Sequence, residues 1–344
     1  MTMDDPIRNA LKRLSQGQDL AVEEAQAVFS KIMGGEATPA QIGALLMGLR
    51  VKGETRAELL GAARAMRGAS IKIPVKLGPD EVLMDTCGTG GDSSNTFNIS
   101  TTVAFIVAAC GVKVAKHGNR SITSRSGSAD CLEALGKDLN LTPEQVAREI
   151  EDVGIGFLFA PNLHPAMRHA AGPRRELGVR TIFNLLGPLT NPAGANCQLM
   201  GVFDPGIISE LAHVLGELGL KRAWVVHGEG GLDEVSICGK TKVAQWSQGR
   251  VDEFYISPED AGLKSAPLEE IRGGDAVENA RLLRGILRGE ISGPMLDVSL
   301  LNAGAALVVA GKADRVGEGV QLAREAIASG RAKEVLNAYL GYHH

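Results

Sequence analysis

The sequence predicts an α/β protein, with a small N-terminal helical subdomain followed by a large α/β domain on a mainly parallel central sheet. Three observations carry that expectation. Residues 7 to about 70 place apolar side chains at helical spacing and contain no convincing strand. From Val82 onward, short apolar runs alternate with helical patterns, as in a parallel sheet covered on both faces. Forty-three glycines against 4% aromatics fit a chain of many close turns better than a platform for stacking bases.

With 344 residues, 44% of them hydrophobic and 22% charged, the chain can bury a sizeable core. A net charge of −4 provides no global attraction for nucleic acid or an anionic membrane, so an anionic ligand needs a local site. Five scattered cysteines without a C-x-x-C pair read as reduced thiols. The N-terminus lacks a basic start and an apolar core, and no apolar run approaches the roughly 20 residues of a spanning helix. A soluble cytoplasmic protein is expected.

In the first part, Ile7, Leu11 and Leu14 mark one apolar face, and Val22, Ala25, Val28, Phe29 and Ile32 a second. Thr38-Pro39 and Thr55 start two further helices as caps. A helical subdomain over 1–72 follows, rejoined by helices at about 162–190 and offering a surface for a second copy. The α/β domain takes 73–344. Strands are expected at 82–86, 112–116, 155–160, 198–203 and 223–227, and short antiparallel strands within 235–256. Helices at 275–288, 297–311 and 315–328 complete it.

Four stretches carry candidate chemistry. Asp85-Thr86-Cys87-Gly88-Thr89-Gly90-Gly91-Asp92 joins a strand to a helix that Asn98 caps, an arrangement that offers backbone N–H groups and a positive helix end to phosphate. A tight structural turn is the plainer reading of such a loop. Lys116 to Ser121, then Ser124 to Asp130, form a loop of hydroxyls, amide and cations, with Ser128 capping the next helix. Gly231-Leu232-Asp233-Glu234 sets paired carboxylates at a strand end, where Mg2+ binds or where the pair is simply solvated. Arg174 lies in a segment running into Asn184-Leu185-Leu186-Gly187-Pro188-Leu189-Thr190-Asn191-Pro192, itself read as a rigid connection.

These four motifs, in this order and at this spacing, resemble those of the anthranilate phosphoribosyltransferases, and the likeness covers nearly the whole chain, including Lys52-Gly53-Glu54-Thr55. The resemblance implies a nucleoside phosphorylase/phosphoribosyltransferase-like fold, usually a homodimer joined through its helices. It also implies transfer of a phosphoribosyl group from phosphoribosyl pyrophosphate (PRPP) to anthranilate with Mg2+. By position, Gly88, Gly91, Asp92, Thr96, Asn98, Ile99, Ser100, Thr101, Lys116, His117, Gly118, Asn119, Arg120, Ser121, Ser124 and Ser128 would hold PRPP. Gly88, Asn119 and Arg174 would face anthranilate, with His117 and His164 lining its pocket. Ser100, Asp233 and Glu234 would serve the metal. Pro173 directly before Arg174 is a departure from the family pattern and leaves Arg175 open as the carboxylate partner. A nucleoside phosphorylase of related fold and a non-catalytic nucleic-acid-binding relative are the alternatives. The acidic pair and the Asn-Leu-Leu-Gly-Pro run argue against the first, and the net negative charge against the second.

Overall fold

The computed structural model describes residues 5–92, 94–121 and 125–343. Four helices come first: α1 (Pro6–Leu14), α2 (Val22–Met33), α3 (Pro39–Lys52) and α4 (Arg56–Ala69). Thr38 and Thr55 cap α3 and α4 as expected, each in a reciprocal box with the residue three positions on, Gln41 and Glu58. The Ala-rich faces allow α2 and α4 to touch closely. A Cβ on Gly61 would stand 2.4 Å from the Val22 carbonyl oxygen.

One seven-stranded sheet follows, in the order β3-β2-β1-β4-β5-β6-β7. Its strands are β1 (Leu83–Asp85), β2 (Lys113–Gly118), β3 (Ile155–Phe159), β4 (Cys197–Gly201), β5 (Arg222–Gly228), β6 (Thr241–Ser247) and β7 (Arg250–Ile256). The first five run parallel, and β6 and β7 return antiparallel to β5. The chain winds outward from β1 to β3, then restarts on the other side of β1 with β4. The gap between β1 and β4 is therefore the switch point, where such sheets open a crevice at their carboxyl ends.

Helix α5 (Ile99–Ala109) connects β1 to β2, and α6 (Ser128–Ala134) and α7 (Pro143–Asp152) connect β2 to β3. Short α8 (Ala160–Leu163), α9 (Arg168–Leu177) and α10 (Phe183–Leu186) lead back to β4, and α11 (Ile208–Glu217) links β4 to β5. The chain closes with α12 (Ala276–Leu287), α13 (Pro294–Ala310), α14 (Val316–Ala328) and α15 (Arg331–Leu340). Side-chain alternation along β4 and β5 divides the core. Leu199, Trp224 and Val226 pack with α5 and α12–α15, whereas Met200, Ala223 and Val225 pack with α11, α1–α4 and the returning residues Phe183, Leu186 and Leu189. Arg67 of α4 fastens that second face, donating from Nε to the Leu189 carbonyl (2.7 Å) and from Nη1 to the Leu218 carbonyl (3.0 Å).

Several expectations need correction. Val235 to Ile237 is loop, held from the side by Asn302, whose Oδ1 accepts from Val235 N–H at 2.8 Å. Lys116 and His117 lie inside β2 and are buried, because the strand runs on past residue 116. Ser128 is the first residue of α6, with Gly127 in the cap position and Asp130 accepting from Gly127 N–H. Asn98 precedes α5 without capping it. Helix α15 has no counterpart in the expected elements, although Ala332, Val335, Leu336, Tyr339 and Leu340 form a regular apolar face on it.

A buried ion pair anchors the helical region. The Glu58 carboxylate, fully buried, accepts from Leu20 N–H (2.9 Å), Thr55 N–H (2.9 Å) and Lys52 Nζ (3.1 Å). Replacing it with leucine leaves two buried N–H groups unpaired, while Lys52 keeps Asp19 (2.8 Å) and the Gly53 carbonyl (2.7 Å). Glu58→Leu is expected to cost roughly 2–5 kcal/mol of stability, from two stranded N–H groups, read from urea unfolding. A loss below about 1 kcal/mol would mean the pair behaves as a surface bridge.

Candidate active site

The glycine loop leaves β1 and crosses directly to the end of β4, where Thr89 N–H donates to the Gly201 carbonyl at 2.9 Å. It thus sits on the switch point. Gly90 and Gly91 take φ of +65° and +76°, a region that side chains disfavour. Gly90 N–H donates to Asp233 Oδ2 at 2.7 Å, drawing the acidic loop after β5 onto it. The fit is tight: a Cβ on Gly88 would lie 3.0 Å from Asp233 Oδ2, and one on Gly201 only 1.5 Å from the Asp233 carbonyl oxygen. Arg180 reaches in from the connection after α9, donating to the Gly91 carbonyl while its guanidinium lies 4.0 Å from the Phe203 ring centroid.

Three carboxylates meet beside this loop. Asp233 is raised to about 7, by desolvation first and then by the charge of Asp92. Glu234 is pushed well above the usual carboxylate range by desolvation and by Asp233, against the opposing pull of Lys116 and a hydrogen bond from Ser100 N–H. Such groups resist being charged together, and a divalent cation would remove the repulsion. The donor set is hard oxygen, which fits Mg2+. Lys116 Nζ, buried, lies 3.4 Å from the Thr86 carbonyl and 3.3 Å from its neighbour's at His117.

Beneath the loop, buried Asp85 accepts from Cys87 N–H (3.0 Å), His117 N–H (3.2 Å) and Asn191 Nδ2 (2.7 Å). Burial lifts its carboxyl to about 6 against the charge of Lys116. Asp85, Cys87 and His117 bring ligand-type atoms within 4.8 Å of one another. They do not suit a metal: the Asp85 oxygens are already engaged, and burial pushes the Cys87 thiol up to about 12.

The remaining expected residues divide. Thr96 bridges to Arg272, and Asn98 bonds Ser126 and Asn279. Ile99 and Thr101 are buried at the start of α5. Gly118 packs on Ser128, whose Oγ donates to the Asn119 carbonyl at 3.3 Å. Ser121 N–H donates to Asp130 at 3.0 Å. Arg120 turns to α6, with Nη2 2.6 Å from Glu133 and Nη1 3.2 Å from Asp130, instead of standing open. Ser124 lies outside the described residues. His117 and His164 rings are 5.1 Å apart and held down to about 3 and about 4, chiefly by burial, so both are neutral. Arg174 stands 5.2 Å from the Phe183 ring centroid with its guanidinium lowered by burial, whereas Arg175 is exposed. Asp85, Arg180, Asn191, Gly201 and Asn279 were not among the expected site residues. Their places are set by tertiary contacts, though Asn191 falls in the run read as structural.

A helical bundle joined to an α/β domain, with an acidic crevice at the switch point, matches a glycosyl transferase family. Its helical bundle domain aligns with residues 8–70 and its a/b domain with residues 80–333. Within that class the relatives are specific. The chain is 55% identical to the anthranilate phosphoribosyltransferase of Symbiobacterium thermophilum, covering 97% of each, and 54% identical to that of Thioalkalivibrio sulfidiphilus, covering 98% of each. The crystal structure of the Thermus thermophilus enzyme superposes with a TM-score of 0.91 at 49% identity, over 96% of this chain and 98% of that one. A Saccharomyces cerevisiae enzyme in complex with PRPP and Mg gives 0.87 at 28% identity, over 97% and 96%. The chain belongs to the anthranilate phosphoribosyltransferase family.

The closeness of Gly201 to Asp233 is directly testable. Gly201→Ala must push the acidic loop away and is expected to weaken Mn2+ binding about 10–100-fold, followed by electron paramagnetic resonance, with far-UV circular dichroism unchanged. Unaltered affinity would separate the acidic loop from the metal.

Proposed function

We propose that the protein transfers the 5-phosphoribosyl group of PRPP to the amine of anthranilate, releasing pyrophosphate, as the second step from chorismate toward tryptophan. The observation that carries this reading is the meeting of three repelling carboxylates, a buried lysine and a glycine-lined backbone at the switch point. That combination suits a pyrophosphate substrate carried with a divalent cation, and the yeast relative is known in complex with PRPP and Mg.

Asp233, Glu234 and Ser100 would hold Mg2+, with Asp92 beside them. Bound there, Mg2+ neutralises charge on the departing pyrophosphate. The glycine loop through Asp92, the start of α5 from Thr96 to Thr101, and Lys116 to Ser121 with Ser128 would hold PRPP. Lys116 adds a buried cation against developing negative charge. Gly88, Asn119 and Arg174 would position anthranilate, with Arg174 on its carboxylate since Arg175 faces solvent. His117 and His164, neutral, would form aromatic wall and not a base. No base is required before attack, because an aniline nitrogen is uncharged at neutral pH and loses its proton readily once bonded to carbon. The chain's contribution is alignment of the amine on C1 and charge stabilisation.

Loss of anthranilate fluorescence in the presence of PRPP and MgCl2, abolished by EDTA, is the expected result. Asp233→Ala with Glu234→Ala is expected to reduce turnover at least about 100-fold. Phosphorolysis of a nucleoside without anthranilate turnover would instead favour a phosphorylase.

We also propose that the chain divides at about residue 72, that the returning helices of 162–190 join its parts, and that two copies associate through the helical part in the cytoplasm. Among the described residues no helix is long and apolar enough to cross a membrane. Sedimentation velocity is expected to give a species of twice the chain mass, and a monomer at micromolar concentration would overturn the pairing.

A further inference from the structure

Asn98 occupies the position of a helix cap and does not cap. Asparagine before a helix ordinarily turns its side-chain oxygen onto N–H groups of the first turn, yet the Asn98 side chain makes no such bond to α5. Its Oδ1 accepts instead from Asn279 Nδ2 at 3.0 Å and, at the longer distance of 3.4 Å, from Ser126 Oγ, while its Nδ2 donates to the Ser126 carbonyl at 3.4 Å. Asn279, on α12, is buried, and its orientation is fixed at the other end, where Oδ1 accepts from Gly274 N–H at 2.8 Å. The donor of Asn279 therefore has to face Asn98. The frame around this pair is rigid. Phe97 N–H donates to the Ile271 carbonyl (3.3 Å) and Gly273 N–H to that of Asn95 (2.9 Å), and a Cβ on Gly273 would come within 2.6 Å of Phe97 Cα.

We propose that Asn279 is a positioning residue for PRPP: by holding Asn98 Oδ1 it keeps that oxygen off the first turn of α5 and leaves the helix end to a phosphate. The inference rests on the transferase reading above and adds to it a residue far downstream of every motif in the sequence. Without the Asn279 donor, the Asn98 amide keeps only its two long contacts to Ser126, both at 3.4 Å, and turning to cap α5 competes with them. Its carbonyl oxygen then competes with phosphate oxygens for the same positive end, and PRPP has to displace it. Anthranilate, which brings no phosphate, does not meet this competition.

Asn279→Asp tests the role by keeping the acceptor for Gly274 N–H while turning a carboxylate oxygen toward Asn98, and Asn279→Ala, which adds no charge, separates the lost donor from the added charge. The KM for PRPP is expected to rise about 10-fold, with the KM for anthranilate and the kcat at saturating PRPP both within about threefold of wild type. In an Asn98→Ala background the same substitution is expected to change the PRPP KM by less than about twofold, since the two residues act as one unit. Asn279→Ala is expected to give the same KM pattern and serves if the aspartate variant does not fold. A PRPP KM unchanged in the folded variants, or a full-sized effect that persists without the Asn98 amide, overturns the role of Asn279 while leaving the transferase reading intact. A folded wild-type protein without turnover counts against the transferase reading itself, and this role falls with it.

Discussion

The carboxylate of Asp85 is the constraint on which the crevice depends. It ends β1, is buried, and accepts from the glycine loop, from β2 and from Asn191 in the connection before β4. Asn191 Nδ2 also reaches the Ala115 carbonyl at 2.9 Å, so one amide fastens that connection to two strands. Three segments far apart in sequence are thus referred to a single side chain at the place where the sheet changes winding direction. A buried anion with three donors is costly to assemble and more costly to leave unpaired. That asymmetry makes the junction cooperative: no one segment can shift without stranding the charge.

Above that junction the electrostatics run the other way. Asp92, Asp233 and Glu234 repel one another at a partly desolvated site, and Lys116 is the main opposing charge. The fold pays for this with the close packing of Gly88 and Gly201 on Asp233, which no larger residue permits. Strain of this kind, set on a rigid sheet end, is characteristic of a place built for a ligand.

Much of this was legible in the sequence. The alternation from Val82 onward gave the parallel sheet, since apolar runs of strand length bounded by glycine have few other uses, and Thr38 and Thr55 marked helix starts through their local capping chemistry. The four motifs carried the family because their order and spacing are jointly improbable. What failed was local inference overridden at long range. Asn98 has the residue type of a cap, but Asn279 takes its oxygen. Lys116 looked like a loop cation, but pairing with β3 extends the strand beneath it. Arg120 carries the charge expected for phosphate, but Glu133 and Asp130 lie within its reach. None of these partners is visible from the neighbouring sequence.

The joint made by Arg67 has a different kind of consequence. Its guanidinium, lowered to about 10 by burial, donates to two backbone carbonyls, those of Leu189 and Leu218. Carbonyls are supplied by every residue type, so substitutions at 189 and 218 can drift on packing grounds alone without breaking the link. The arginine has no such latitude, because lysine cannot span two acceptors with a planar fork. Across relatives, the joint between the helical bundle and the sheet would therefore leave a single invariant position with no co-varying partner, and methods that infer contacts from paired substitutions would pass over it.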